Sequence, residues 1–334
     1  MRNSKHKKRV IITGCYGQDG SYLVEHLHSL DYEIYGVCRE ELSMRSASIK
    51  EELVSEGIRI NESHVSLYDY SEISSLINDI KPDLLFHVAA VHFSSEHIVN
   101  ESVLEEQSLF EKNVHATANL LSACLIFSPV THIIVAGSCL MYDGTNTCEQ
   151  DEHTPYKSCS LYGIGKITES ELVDYYRGKG LFAATAILFN HESHRRGESF
   201  VTKKIAKAIT DIKDGKSNAL RIGNVNTMKD WGYAGDYMRG MHLMATAPTP
   251  RDYILATGEL HTIRDYISEC ARTLRLEDWE NYLISDSSII TRKIECQLKG
   301  NPRRAEKELG WKREYSFQDL VQEMVERSGK GGHG

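Results

Sequence analysis

The chain has 334 residues, 41% of them hydrophobic and 26% charged, a length and balance that carry a large buried core and confine disorder to the ends. A formal net charge of −8 excludes nucleic acid as a bulk partner, because phosphate binding needs a basic face. No stretch is apolar for the roughly 18 residues a membrane span needs, and the basic start MRNSKHKKR runs into a short strand without a signal-peptide core, so a cytoplasmic protein with no membrane partner is expected.

In chain order, VIITG reads as a first strand and SYLVEHLHSL as the helix after it. EIYGVC and LLFHVAA read as further strands, a helical stretch then runs to about Ile126, and HIIVAGS is the next strand. Strand and helix in alternation make βαβ units, so the fold class is α/β: a Rossmann-like doubly wound parallel sheet with a smaller C-terminal substrate-binding lobe. From about Asn190 the pattern loses regularity and charged loops such as NHESHRRGESF enter. This divides the chain into a dinucleotide-binding domain at 1–189 and, at 190–334, mainly a substrate lobe, some of whose segments return to the first domain. Ligands of such sheets bind at the carboxyl ends of the strands. The Gly-rich tail SGKGGHG reads as frayed. Eight cysteines (15, 38, 124, 139, 148, 159, 270, 296) show no CxxC spacing, so neither a zinc knuckle nor a disulfide framework is expected, and most read as small buried apolar residues.

TGCYGQDGSYL sets Gly14, Gly17 and Gly20 at G-x-x-G-x-x-G spacing between a strand and a helix. Glycines there let the backbone turn tightly against a pyrophosphate whose charge rests on the helix N-terminus. The cofactor set is Gly14, Gly17, Gln18, Asp19 and Gly20, joined by Ala89 and Ala90 at the end of LLFHVAA. In GVCREEL, Arg39 stands first after the strand and suits the 2′-phosphate of NADP; Glu40 and Glu41 behind it keep NAD open.

LYGIGK puts Tyr162 and Lys166 four apart, on one face of a helix, and Ser138 ends the strand HIIVAGS. A free tyrosine has a pKa of about 10, so acting as a base near neutrality asks for roughly three units of depression, or about 4 kcal/mol. Lys166, which also belongs to the cofactor set with Tyr162, and the positive charge of an oxidised nicotinamide supply it, while Ser138 hydrogen-bonds the same substrate oxygen.

Together these features resemble the extended short-chain dehydrogenase/reductases. FNHESHRRGESFVTKKI (189–205), IGNVNTMKDWGYAGDYMRGM (222–241), DYILATGELHTIRDYI and GNPRRAEKELGWK narrow the resemblance to the GDP-mannose 4,6-dehydratase family, over nearly the whole chain. The resemblance implies a two-lobed enzyme, a homodimer or homotetramer, with a nicotinamide cofactor and a GDP-sugar across its cleft. By motif position, Asn190, Glu192, Lys204 and Arg292 contact the nucleotide-sugar, with Arg195 nearby. A diphosphate asks for cationic partners of this kind. His191 and His194, with no third ligand in view, make a poor zinc site, and no metal is expected.

One departure bears on the chemistry. Two places before Tyr142 the dehydratases carry a glutamate that removes the C5 proton after C4 oxidation; here the residue is Leu140. A positioned general base contributes about 10²- to 10⁴-fold, or roughly 3 to 5 kcal/mol, and leucine transfers no proton. Ser66 likewise replaces an aspartate directed at the adenine, and His92 or a glutamate of the 94–112 segment is the available substitute for the missing base. The reading is an oxidation of C4 in a GDP-linked manno-configured hexose or heptose, with Tyr162 as base, Lys166 tuning it and Ser138 orienting the hydroxyl. The reaction then stops at the 4-keto sugar, or goes on to epimerisation or reduction. Complete 4,6-dehydration with another base, and a non-catalytic nucleotide-binding regulator, are the alternatives.

Overall fold

The computed structural model describes residues 7–90, 103–286, 289 and 297–328; Arg292, His92 and Cys296 lie outside them. The first half runs β1 (Arg9–Thr13), α1 (Gln18–Ser29), β2 (Glu33–Val37), α2 (Met44–Ser55), β3 (Asn61–Ser63), α3 (Tyr70–Ile80), β4 (Leu84–His87), α4 (Val103–Phe127), β5 (His132–Ala136), a 3-10 turn (Cys139–Tyr142), α5 (Leu161–Gly178) and β6 (Ala183–Leu188). With the strand Tyr253–Leu255 at one edge, these form a seven-stranded sheet in the order Tyr253–Leu255, β6, β5, β4, β1, β2, β3, parallel at every pairing. Strand order reverses between β1 and β4, which opens the ligand crevice at their carboxyl ends.

The sequences of these strands explain their place. LLFH and AATAIL are buried at every position and RVIIT and HIIVA at all but the first, the near-continuous apolar run of a strand covered on both faces. On one face Val10, Ile12, Leu23, Leu27 and Phe86 form the large core; on the other Ile11, Leu85, Ile73, Leu120 and Leu121 pack beneath α3 and α4.

The later residues serve two cores. β7 (Asn190–Glu192) pairs in parallel with Trp231–Tyr233, and the helices that follow are α6 (Val201–Lys213), α7 (Ala234–Ala245), α8 (Ile263–Leu274), α9 (Arg303–Leu309) and α10 (Phe317–Ser328). α6, α8 and α10 bury Ile205, Ile209, Ile267, Val321 and Met324 in a core of their own. Met238 and Met241 of α7, Ala305 of α9 and Leu255 belong instead to the large core under the sheet. Buried Asp230 fastens the crossings: it accepts from the amides of Thr257 at 2.9 Å, Gly258 at 3.0 Å and Gly300 at 3.1 Å. Among the described residues no helix is long and apolar enough to cross a membrane.

Candidate active site

The turn after β1 is shaped by its glycines. Gly14 has φ +71°, and a Cβ there would stand 3.1 Å from the Ala89 Cα; a Cβ on Gly20 would stand 2.1 Å from the Gly14 carbonyl oxygen. The chain therefore closes on β4 and on itself only with glycine at these places. Gly17 offers no side-chain acceptor to the first turn of α1, which leaves those amides to an anion. The Ala89 amide donates to Thr13 Oγ1 at 3.1 Å, and Ala90 beside it is exposed. This cradle fits a dinucleotide pyrophosphate.

Gln18 and Asp19 face a different neighbour. Gln18 Nε2 donates to the His191 carbonyl at 3.2 Å, Ser193 Oγ donates to Gln18 Oε1 at 3.0 Å, and Asp19 Oδ1 lies 3.0 Å from His191 Nε2. Burial alone would push the Asp19 carboxyl up and the His191 imidazole down. Their mutual attraction and hydrogen bond reverse both, so Asp19 lies below and His191 above its ordinary value. The pair ties the glycine turn to β7.

Ser160 caps α5 by accepting from the Gly163 amide at 3.1 Å, which puts Tyr162 in the first turn and Lys166 one turn further on. Lys166 is buried, and its Nζ donates to the Ala136 carbonyl at 2.8 Å and to Glu169 Oε2 at 3.0 Å. Thr117 Oγ1 of α4 donates to the same carboxylate oxygen at 2.9 Å. The ammonium stands 5.9 Å from the centre of the Tyr162 ring. Ser138 begins the 3-10 turn beyond β5, its Oγ accepting from the Leu140 amide at 3.2 Å. That turn meets α5 so closely that a Cβ on Gly163 would lie 2.4 Å from the Leu140 carbonyl oxygen. Ser138 and the Lys166 ammonium are thus both anchored at the carboxyl end of β5, and Tyr162 stands one turn before Lys166 on α5.

Beyond β6, the Asn190 Nδ2 is buried without a hydrogen-bond partner, an orphaned donor of the kind a ligand satisfies. Glu192 is buried, accepts from Thr202 Oγ1 at 2.8 Å and pairs with Arg196 Nε at 3.2 Å; Lys204 is half-buried on α6. Arg195 is also buried. Its guanidinium donates to Ser21 Oγ at 3.1 Å, to Glu52 Oε2 at 3.2 Å and to Glu25, and lies 4.7 Å over the Tyr22 ring. Those bonds join the loop after β7 to α1 and α2.

A GDP-mannose 4,6 dehydratase family model matches residues 11–324. The chain belongs to the GDP-mannose 4,6-dehydratase family. It is 34% identical over 334 residues to GDP-mannose 4,6 dehydratase 2 of Arabidopsis thaliana, covering 96% of this chain and 86% of the relative. With GDP-mannose 4,6-dehydratase of Vibrio cholerae the identity is 30% over 354 residues, covering 96% and 93%. Among solved structures, dTDP-glucose 4,6-dehydratase of Bacillus anthracis in complex with NAD superposes with a TM-score of 0.80 at 15% identity, covering 97% of each chain. RMD of Pseudomonas aeruginosa complexed with NADPH gives 0.78 at 18%, covering 97% and 99%. These two show the same fold, and the family makes the chain an enzyme of the nucleotide-sugar short-chain dehydrogenase type.

In this GDP-mannose 4,6-dehydratase-family chain Leu140 is half-buried and packs against the large core. Of the glutamates named as substitutes for its missing carboxylate, Glu105 and Glu111 are exposed, Glu106 is half-buried, and Glu96 and Glu101 lie with His92 outside the described residues. The tyrosine differs from the sequence expectation. Burial, the largest influence, raises the Tyr162 pKa; Lys166 lowers it and Glu169 raises it again, and the net shift is upward. Lys166 itself is held above its usual value, its attraction to Glu169 outweighing burial. Sequence reading passed over Glu169 although its i+3 spacing from Lys166 was visible. It also passed over His87, buried 2.8 Å from Thr13 Oγ1 and pushed down to about 3 by burial and by the Lys166 charge.

Proposed function

We propose that this chain oxidises C4 of a GDP-linked sugar of manno configuration, hexose or heptose, with NADP in preference to NAD, and does not complete 4,6-dehydration. The observation that carries the proposal is Leu140, half-buried against the large core on the turn that begins at Ser138 and meets α5, the helix of Tyr162 and Lys166. A nicotinamide cofactor held at the glycine turn would supply a hydride acceptor for C4 and, when oxidised, a positive charge beside the phenol. Tyr162 Oη takes the C4 hydroxyl proton, Ser138 Oγ holds that oxygen, and the Lys166 charge favours the phenolate against the burial that opposes it. No side chain at position 140 reaches for the C5 proton, so the 4-keto sugar leaves or is reduced again.

The residues proposed for the nucleotide-sugar are Asn190, Glu192, Lys204 and Arg292, a role the orphaned Asn190 amide supports. With its guanidinium engaged by Glu25 and Glu52, Arg195 is assigned to the junction of the lobes and not to the diphosphate. The division of the chain near residue 190 belongs to the same proposal. So does a homo-oligomer built on α4 and α5, which expose Leu104, Ile126, Ile164 and Tyr175. Family membership supports a second reading, complete 4,6-dehydration with another residue as base. Turnover of any GDP-sugar excludes a purely regulatory role.

Arg39 is exposed at the end of β2. Arg39→Ala is expected to weaken NADP more than NAD, by about 1.5 to 3 kcal/mol for a lost charged hydrogen bond. Equal weakening of both in a binding titration would remove Arg39 from cofactor choice.

Leu140→Glu tests the missing base. A ketone at C4 acidifies the C5 hydrogen, but a carbon acid still needs a base within reach. In heavy water the wild-type enzyme is expected to exchange C5 hydrogen slowly, and the variant faster, by up to the 10²-fold lower range of general-base catalysis and less where the surroundings do not support the new carboxylate. Fast exchange by the wild type, unchanged in the variant, would show that a base is already present elsewhere.

A further inference from the structure

Two cysteines meet beneath the glycine turn. β1 and β2 pair with Thr13 beside Val37, and the Gly14 amide continues the register by donating to the Val37 carbonyl at 2.8 Å, so Cys15 and Cys38 leave neighbouring strands almost in step. Cys15 is buried and points at β2, its Sγ 2.6 Å from where a Cβ on Gly36 would stand. Gly36 and Cys38 are two residues apart on one strand and face the same side. Each thiol is close enough to shift the acidity of the other. Paired strands hold neighbouring Cα atoms about 4.8 Å apart, within the roughly 4.4 to 6.8 Å a disulfide spans, and both cysteines follow within two residues of the last pair, Thr13 with Val37.

Cys38 also heads a polar relay. Its Sγ lies 3.7 Å from His64 Nδ1, and the other ring nitrogen lies 3.7 Å from Glu62 Oε2. Glu62 in turn accepts from Tyr16 Oη at 2.7 Å and from Lys50 Nζ at 2.9 Å. The Cys15 thiol, then His64 and Lys50, draw the Cys38 thiol down to about 7 against its own burial and the Glu62 charge. Burial pushes Cys124 and Cys139 up to about 12. Cys38 is half-buried, open to a small reagent; Cys15 is not. A metal suits the group less well. Cys38 and Glu62 address opposite nitrogens of one imidazole, and the carboxylate is already held by Lys50 and Tyr16.

We propose that Cys38 and Cys15 are a redox-active thiol pair, in which Cys38 reacts with a hydroperoxide and Cys15 resolves the product as a disulfide. The Cys38 thiolate attacks the peroxide oxygen, the O–O bond breaks, and the alkoxide or hydroxide leaves with a proton, giving a sulfenic acid. The Cys15 sulfur then attacks Cys38 sulfur, the S–O bond breaks, and water leaves with the Cys15 proton. Two thiols give two electrons to one peroxide. The cross-link pins the glycine turn to the residue before Arg39; its shielding by a bound dinucleotide rests on the proposed function, whereas the thiol chemistry does not.

The test treats the full chain with hydrogen peroxide, blocks remaining thiols and reads peptide masses. A Cys15–Cys38 peptide reversed by dithiothreitol is expected, and Cys15→Ser should instead carry a dimedone-trapped sulfenic acid at Cys38. Iodoacetamide capture of Cys38 at pH 7 should run on the order of 10-fold faster than an unperturbed cysteine, and His64→Ala should slow it. Oxidation confined to the exposed Cys148 and Cys159, or Cys38 capture no faster than theirs, would overturn the proposal. Disulfide formation that added NADP does not slow upholds the pair and contradicts the dinucleotide placement instead.

Discussion

Tyr162→Phe is expected to lower turnover of a GDP-sugar by about 10²- to 10⁴-fold, the range of a positioned general base, while the cofactor still binds and the fold is kept. The ring fills the same half-buried space on α5, and what is lost is the hydroxyl proposed to take the C4 proton. Lys166 cannot replace it. Its ammonium is held by the Ala136 carbonyl and Glu169 and stays protonated at working pH, because its pKa is raised. Steady-state rates beside a dinucleotide titration check this, and near wild-type turnover would remove Tyr162 from the chemistry.

Glu169→Ala is expected to cost about 3 to 5 kcal/mol of stability, the effect of stripping one partner from a buried ion pair. The two side chains are 4% and 2% exposed, so solvent screens the pair little. Alanine leaves the Lys166 charge buried on a single carbonyl and takes the acceptor from Thr117. Urea unfolding measures the loss, and a change below about 1 kcal/mol would mean that water or movement of α5 satisfies the lysine. Glu169→Gln separates tuning from stability. An anion near a phenol raises its pKa, so removing that charge lowers the Tyr162 pKa while Lys166 stays charged, and the rise of activity with pH moves to lower pH. An unmoved profile would make Glu169 purely structural.

What the sequence disclosed and what it hid divide along chain distance. RVIIT, LLFH and HIIVA announce parallel strands because burial on both faces leaves no polar alternation. Gly14, Gly17 and Gly20 announce a tight turn because their spacing sits between a strand and a helix, and Tyr162 with Lys166 is readable at one helical turn. The partners that alter these residues come from afar. Thr117 reaches Glu169 across 52 positions, and Arg195, which reads as a cation near the nucleotide-sugar, meets Glu25 across 170. Cys15 and Cys38 show no recognised spacing; only the register of β1 with β2 brings them together. The sign of the Tyr162 shift was hidden for a related reason. Spacing shows the lysine that lowers it, but not the depth of burial that wins.

The most direct measurement is the mass of the product formed from GDP-mannose and NADP in heavy water by the wild-type enzyme. Leu140 in place of the acid calls for a sugar lighter by two hydrogens and free of solvent deuterium at C5, or for a re-reduced sugar of unchanged carbon-bound composition at C5 and C6. A product that has lost water and carries solvent deuterium would contradict it, and would make the chain a complete 4,6-dehydratase whose base lies elsewhere than position 140.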